Sequence, residues 1–301
     1  MIAKSRCMMR AWQAYFGIVC YVSSAVAQTF TGVIQQRSFS VPYSLLVRIS
    51  GELPANPTPE HEAYGLDPQK VLRMAAPEWF KAAKDAGEEI NETTTTIQVG
   101  KTGLRVDMQS AAENASYILR PDKGVMWLVM PRDKKFIEMD FREAGKLVPK
   151  ADAAGRPAEK PGASAAAATS SYRKTGESAT INGIPCERYV LKNEEGFQEL
   201  WLTTQFGDLR HVFEEVASTI AASVGQDPAT IYDAEDRLPA GMPMLSKRLS
   251  PGTELEVDEV KSIHRETVAP EWFEIPVGYQ KVSMVDLMKQ RMRKEEQKEE
   301  Q

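Results

Sequence analysis

Histidine and cysteine are scarce in this chain of 301 residues, with three of each. His61, His211 and His264 fall in different predicted elements, no pair has zinc-site spacing, and no cysteine joins them. Also missing are a Gly-x-Ser-x-Gly elbow, a Walker loop and a dinucleotide-binding glycine pattern. Ser171-Tyr172-Arg173-Lys174 matches Ser-x-x-Lys, a pattern too short to define a site by itself. Asp233, Glu235 and Asp236 cluster without the alternating oxygens and turn glycine of a calcium loop. The chain is therefore read as non-enzymatic, with no metal and no cofactor expected. No apolar run reaches the ~18–20 residues of a membrane span. A net charge of −5, with basic residues interspersed among acidic ones as in 132–135, excludes a general nucleic-acid binder.

What is present begins at the N-terminus. Lys4, Arg6 and Arg10 precede an apolar run over 14–22, and Ala25-Val26-Ala27 follows. That order of basic, apolar and small-x-small segments is a secretory signal peptide, expected to be cut after Ala27. Cleavage removes three basic residues and no acidic one, so the mature chain is more acidic still. Gly17-Ile18-Val19 before Cys20 is a poor lipid-anchoring signal, which favours a soluble periplasmic or secreted protein. Cys7 and Cys20 leave with the leader. Cys186 then stands alone, no internal disulfide is possible, and its apolar setting reads as a buried small hydrophobe.

Alternation with a period of two dominates the mature chain, the mark of strands with two unlike faces. Ile137, Met139 and Phe141 oppose Glu138 and Asp140; Leu200 and Leu202 oppose Glu199 and Trp201. Residues 125–130 are apolar on both faces, and Pro131-Arg132-Asp133-Lys134 turns them into the next strand as a hairpin. A long strand is expected over about 253–267. Its apolar parity shifts between Val257 and Val260, which predicts an extra residue near Asp258. Helices are the minority. Asp67-Pro68 starts one, Pro77 restarts it with Trp79, Phe80 and Ala83 on one stripe, and Gly87 stops it. A second runs from Asp208 through Val212, Phe213, Val216, Ile220 and Val224. Residues 53–92 read as a helical insertion among strands, and 149–171, rich in Ala, Gly and Pro, as a flexible low-complexity segment. The domain expected is a single one over 28–284, with a charged helical tail at 285–301.

In the second half, Gly176-Glu177, then Ile181-Asn182-Gly183-Ile184-Pro185-Cys186-Glu187-Arg188-Tyr189, Glu199-Leu200-Trp201 and finally Phe273-Glu274-Ile275-Pro276-Val277-Gly278-Tyr279 follow the 125–141 hairpin. Together they resemble an exported bacterial family, the domain of unknown function numbered 4412, related to the periplasmic lipoprotein carriers LolA and LolB. The resemblance covers about 93–284. It implies a mainly β (α+β) fold: a strongly curved antiparallel sheet, an incomplete barrel, with helices over its concave face and an apolar cavity between. In the carriers that cavity shields acyl chains from water.

A soft stock of thirteen methionines suits such a cavity. The expected function is a non-catalytic periplasmic binding or carrier protein for an acyl chain, lipid or lipoprotein. Trp127, Met130, Met139, Trp201 and Met244 are the candidate lining residues. The alternative is a cell-envelope structural or interaction module with a filled core, gripping a protein partner through a sheet edge or the 53–92 insertion.

Overall fold

The computed structural model describes residues 30–51, 58–111, 114–140, 172–193, 196–207 and 241–283, with 209, 239 and 286 singly. The leader, the 149–171 segment, the helix expected after Asp208, the Asp233–Asp236 group and nearly all of the 285–301 tail lie outside them.

Among the described residues, twelve strands form one sheet. They are β1 Gly32–Val41, β2 Glu92–Val99, β3 Leu104–Ser110, β4 Asn114–Arg120, β5 Val125–Met130, β6 Lys135–Asp140, β7 Arg173–Ile181, β8 Ile184–Asn193, β9 Gly196–Thr203, β10 Met242–Leu249, β11 Leu255–Arg265 and β12 Gln280–Lys281. The order is β12-β6-β5-β4-β3-β2-β1-β11-β10-β9-β8-β7, antiparallel except where β12 joins β6. Two meanders, β2–β6 and β7–β11, therefore flank β1, and strands from both sides of 149–171 share one sheet. The protein is mainly β, with an open, curved sheet. Its curvature is visible where Asn182 Nδ2, in the β7–β8 turn, donates to Val260 O on β11 at 2.7 Å and to Glu259 Oε1 at 3.1 Å. That turn holds Asn182 and Gly183 at φ 48° and 84°, as a two-residue hairpin requires.

Among the described residues between β1 and β2 lie four helices: α1 Tyr43–Ser50, α2 Pro59–Tyr64, α3 Pro68–Arg73 and α4 Ala76–Ala86. Asp67 accepts from Gln69 N and Lys70 N at 2.9 and 3.2 Å to start α3, and Gly87, left-handed at φ 67°, ends α4. Helical structure thus begins ten residues before the expected insertion, because α1 is a short apolar run that carries no cap signal: Pro42 precedes it with no side-chain cap.

Cross-strand register sorts the side chains. On one face, Phe39, Val257 and Lys247 line up across β1, β11 and β10, as do Val41, Leu255 and Leu249. The apolar members pack beneath Leu45, Leu46, Leu66, Val71, Leu72 and Trp79 of the helical segment. Further along that face, Ile118, Val125, Trp127 and Val129 are covered by Phe273 of a 3₁₀ turn, Pro270–Phe273. The opposite face carries Ile34, Ile97, Val106, Leu119 and Met126, in a second core. The extra residue in β11 is Lys261 rather than one near Asp258: Gln35 pairs with Ser262 and Gln36 with Val260. Val257 and Val260 differ in parity because both faces are buried, so each has its own apolar set.

Candidate functional site

The sheet's helix-bearing face is not apolar throughout. Where α3 and the start of α4 cross β1 and β8–β11, a cavity of about 370 Å³ opens. Its apolar wall includes Phe39, Leu72, Trp79, Trp201, Leu245 and Val257. Its polar wall is a set of charges that strand alternation delivers to the same face. Lys247 pairs with Glu199 across β10–β9, and Arg188 sits opposite Trp201 across β8–β9.

These charges are deeply buried: Glu199, Lys247 and Arg188 are 2%, 6% and 7% exposed. Arg188 donates to Glu199 Oε2 from Nε at 2.8 Å and from a terminal nitrogen at 2.5 Å, and to Glu177 Oε1 at 2.8 Å. Trp201 Nε1 donates to Glu199 Oε1 at 2.9 Å. The Lys247 ammonium lies 3.6 Å from the same oxygen and donates to the carbonyls of Leu72 and Met74, the latter at 3.1 Å. Lys247 thus ties the unpaired carbonyls at the end of α3 to the sheet. Burial pushes the Lys247 pKa down, against the opposing pull of Glu199. Above this group, Arg37 donates to Glu259 Oε2 at 2.7 Å, and Lys261 lies 2.9 Å from Glu259 Oε1. Burial alone would raise the Glu259 pKa, but Lys261, Arg37 and Asn182 hold it below its ordinary value.

One carboxyl behaves oppositely. Asp258 faces away from the cavity, between Ser38 and Ser246, and Ser38 Oγ donates to its Oδ1 at 2.6 Å. Desolvation pushes its pKa up despite that bond. The folded carboxyl therefore keeps its proton to higher pH than the unfolded one. The stability it contributes is full below the unfolded value, about 4, and is lost as pH rises through the folded value. Asp258→Asn retains an Oδ1 acceptor and cannot ionise. It is expected to be more stable than the parent in urea unfolding at pH 8, with the gap closing towards pH 4. Parallel pH profiles for the two proteins would refute this.

Of the five residues anticipated as cavity-lining, Met139, Trp201 and Met244 share one apolar cluster, while Trp127 and Met130 lie elsewhere. Met244 belongs to the cluster that holds Ile34, Ile97 and Met126, and Met139 and Trp201 pack against that cluster. Trp201 also borders the cavity. Trp127 lies on the other face from Met139: it pairs with Glu138, donates to its Oε2 at 2.9 Å, and packs under Phe273. Met130 is buried at the end of β5, outside the three apolar clusters. Sequence reasoning overlooked Arg188, Glu199 and Lys247. The available signal was three charged residues in otherwise apolar alternation, at positions indistinguishable from a solvated face. Cys186 is buried and free, its thiol pKa raised by burial. Lys174, of the Ser-x-x-Lys match, is exposed on β7 and paired with Glu187 at 2.7 Å. Among the described residues no group of three His, Cys, Asp or Glu side chains is arranged to hold a metal ion. None of the described helices is long and apolar enough to cross a membrane.

The chain belongs to the family described as Domain of unknown function (DUF4412), which it matches over residues 84–279. Arg188, Glu199, Lys247 and Glu259 fall inside that match, while β1 and helices α1–α3 precede it. No curated protein matches the sequence. Among solved structures, an uncharacterized conserved protein from Thermus thermophilus is 8% identical, over 84% of this chain and 91% of that one, with a TM-score of 0.37. Two structures of PNGF-II are 9% identical over 85% and 86% of this chain, but only 32% of theirs, with TM-scores of 0.29 and 0.26. Likenesses this loose carry no argument about function.

Proposed function

We propose that this is a non-catalytic binding or carrier protein, exported to the periplasm or beyond by a leader cut after Ala27, that holds an apolar ligand between its helices and its sheet. The observation that carries the reading is the cavity of about 370 Å³ between α3–α4 and the sheet, in the size range of small-ligand sites. Phe39, Trp79, Trp201, Leu245 and Val257 give it an apolar surface against which an alkyl or acyl chain gains hydrophobic energy. Helices laid over one face of a curved antiparallel sheet also fit the LolA- and LolB-like arrangement, in which such a space shelters acyl chains. The carboxylates around the cavity are engaged by arginine, lysine and tryptophan, an arrangement that suits a fixed wall better than a proton-transferring group.

A second reading, an envelope interaction module, draws on Trp272 and Val277, which stand exposed near the C-terminal end of the described chain. The experiment that separates the two is organic extraction and mass spectrometry of the protein purified from the periplasm without detergent. A stoichiometric lipid or fatty acyl species is expected. An empty extract, repeated after incubation with envelope lipids, would overturn the carrier reading.

A further inference from the structure

A cavity that holds a ligand, as the reading above has it, needs an entrance, and the strand ladders locate one. The pairing of β8 with β9 begins only at Glu187–Leu202, and that of β10 with β11 reaches no further than Leu245–Glu259. Among the described strands, Ile184, Pro185 and Cys186 therefore ladder with β7 alone. Pro185 has no N–H to give a further neighbour, as suits a stretch that has left the sheet. The pairs Ser178–Glu187, Ala179–Cys186, Thr180–Pro185 and Ile181–Ile184 thus form a two-stranded ribbon that projects past the β9 ladder. At its base the register breaks between Lys174 and Ser178, around Gly176 at φ 83°. A bulge with a left-handed glycine bends its strand and supplies a hinge.

The tip of the ribbon is fastened to β11. In the sheet order β8 and β7 lie three and four strands from β11. Asn182 at the tip nevertheless donates to Val260 O at 2.7 Å and to Glu259 Oε1 at 3.1 Å. Val260 is the first β11 residue past the last pair with β10, so the amide clasps the strand where that ladder has stopped. Ser178, Thr180, Asn182, Gly183 and Pro185 are exposed. Cys186 is buried in the cluster that holds Val260 and Met242, and Ile181 and Ile184 pack against that cluster. Ile181 on the ribbon and Glu259 and Lys261 on β11 all border the cavity. The clasp therefore joins two parts of the cavity wall.

Resting on the carrier reading, we infer that the ribbon 178–187 is a flap that opens the cavity to a ligand, hinged at the Gly176 bulge and clasped to β11 by the Asn182 amide. Two side-chain hydrogen bonds and a small apolar contact hold it, a lighter attachment than a strand with ladders on both sides has. Cys186 reports its position. In the closed flap the thiol is buried, and burial raises its pKa; in the open flap it meets solvent.

Asn182→Gly removes the amide and keeps the left-handed backbone of the turn. Asn182→Asp keeps the shape but sets a carboxylate against Glu259. Two rates are compared in the full chain and these variants. One is modification of Cys186 by iodoacetamide, located by mass spectrometry. The other is exchange of N-phenyl-1-naphthylamine, an uncharged probe that fluoresces out of water, followed by stopped flow. Circular dichroism and urea midpoints verify that the variants are folded. Losing the two hydrogen bonds raises the open fraction, so both rates are expected to rise about tenfold, with probe affinity changed less than about threefold. Equal Cys186 modification in the parent and the folded variants would overturn the clasp. Modification with the urea dependence of global unfolding would overturn the flap. Faster modification with unchanged probe exchange would overturn the flap as the entrance while leaving the carrier reading intact. No probe bound by any of the three proteins would overturn the carrier reading, and the entrance with it.

Discussion

Glu199→Ala is expected to lower folding stability by about 3–5 kcal/mol, because it leaves two buried cations without their carboxylate. Arg188 would keep only Glu177, which is 58% exposed and a poor substitute. Lys247 would keep the Leu72 and Met74 carbonyls but lose its neutralising charge. The Trp201 indole N–H would lose its acceptor as well. Because the network is shielded from solvent, added salt should recover little of the loss. Raising pH should recover more. A lysine whose folded pKa is depressed releases its proton earlier than in the unfolded chain, so stability climbs as pH rises through that folded value. Removing Glu199 removes a group that holds the pKa up, so the climb should begin at lower pH in the variant. Replacing all three together, as Arg188→Met, Glu199→Leu and Lys247→Met, should be close to neutral, since no unpaired charge remains. Urea unfolding from pH 6 to 10 measures all of this. A loss under about 1 kcal/mol for Glu199→Ala would mean that water reaches the network and that the cavity is far more open than described.

Phe273→Ala is the other large effect, about 3–5 kcal/mol from lost burial and the void left behind. Phe273 has no exposed surface and closes the cluster of Ile118, Val125, Trp127 and Val129. Its ring lies so near the β2–β3 turn that a Cβ on Gly100 would come within 2.3 Å of it, and one on Gly103 within 3.3 Å. The bare backbone there is the seat for the ring. Around it the chain is pinned by Arg120 to Phe273 O at 3.2 Å, by the Arg120–Glu274 pair, and by Lys123 to Glu274 at 2.8 Å. Two backbone bonds follow, Gln280 N to Lys134 O and Val282 N to Phe136 O, both 2.9 Å. Without Phe273 those polar contacts hold a segment that buries little. Residues 266–283 should therefore become cleavable by protease under native conditions before the sheet unfolds, while Phe273→Leu should lose less and stay resistant. Global unfolding with no early cleavage would show that this segment folds as one unit with the sheet.

Local chemistry explains which elements could be anticipated. The β5–β6 hairpin announces itself because six apolar residues meet a Pro-Arg-Asp-Lys turn, and Met126 pairs with Met139 as that turn dictates. Helices α3 and α4 are marked by Asp67-Pro68, Pro77 and Gly87, residues whose side chains or backbone end the hydrogen-bond ladder. The displacement of the β11 bulge to Lys261 was not visible. The shift from Val257 to Val260 reports two buried faces, whereas the extra residue is fixed by pairing with Gln35 and Gln36 on a strand more than two hundred positions away.

The candidate site divides along the same line. Alternation by itself determined that Glu199 and Trp201 share one face of their strand and Leu200 and Leu202 the other, since side-chain direction in a strand depends only on position. Only the tertiary structure decided that both faces are covered, so that Glu199 at 2% exposed is as buried as Leu200 at 2% and Leu202 at 4%. It also decided that Arg188, Lys247 and Arg37, from three separate strands, meet there beneath Trp79. The physical reason is that a strand's period states that its faces differ, and never what lies against them. That depends on where a helical segment between β1 and β2 comes to rest, and on a sheet order that sets β11 beside β1.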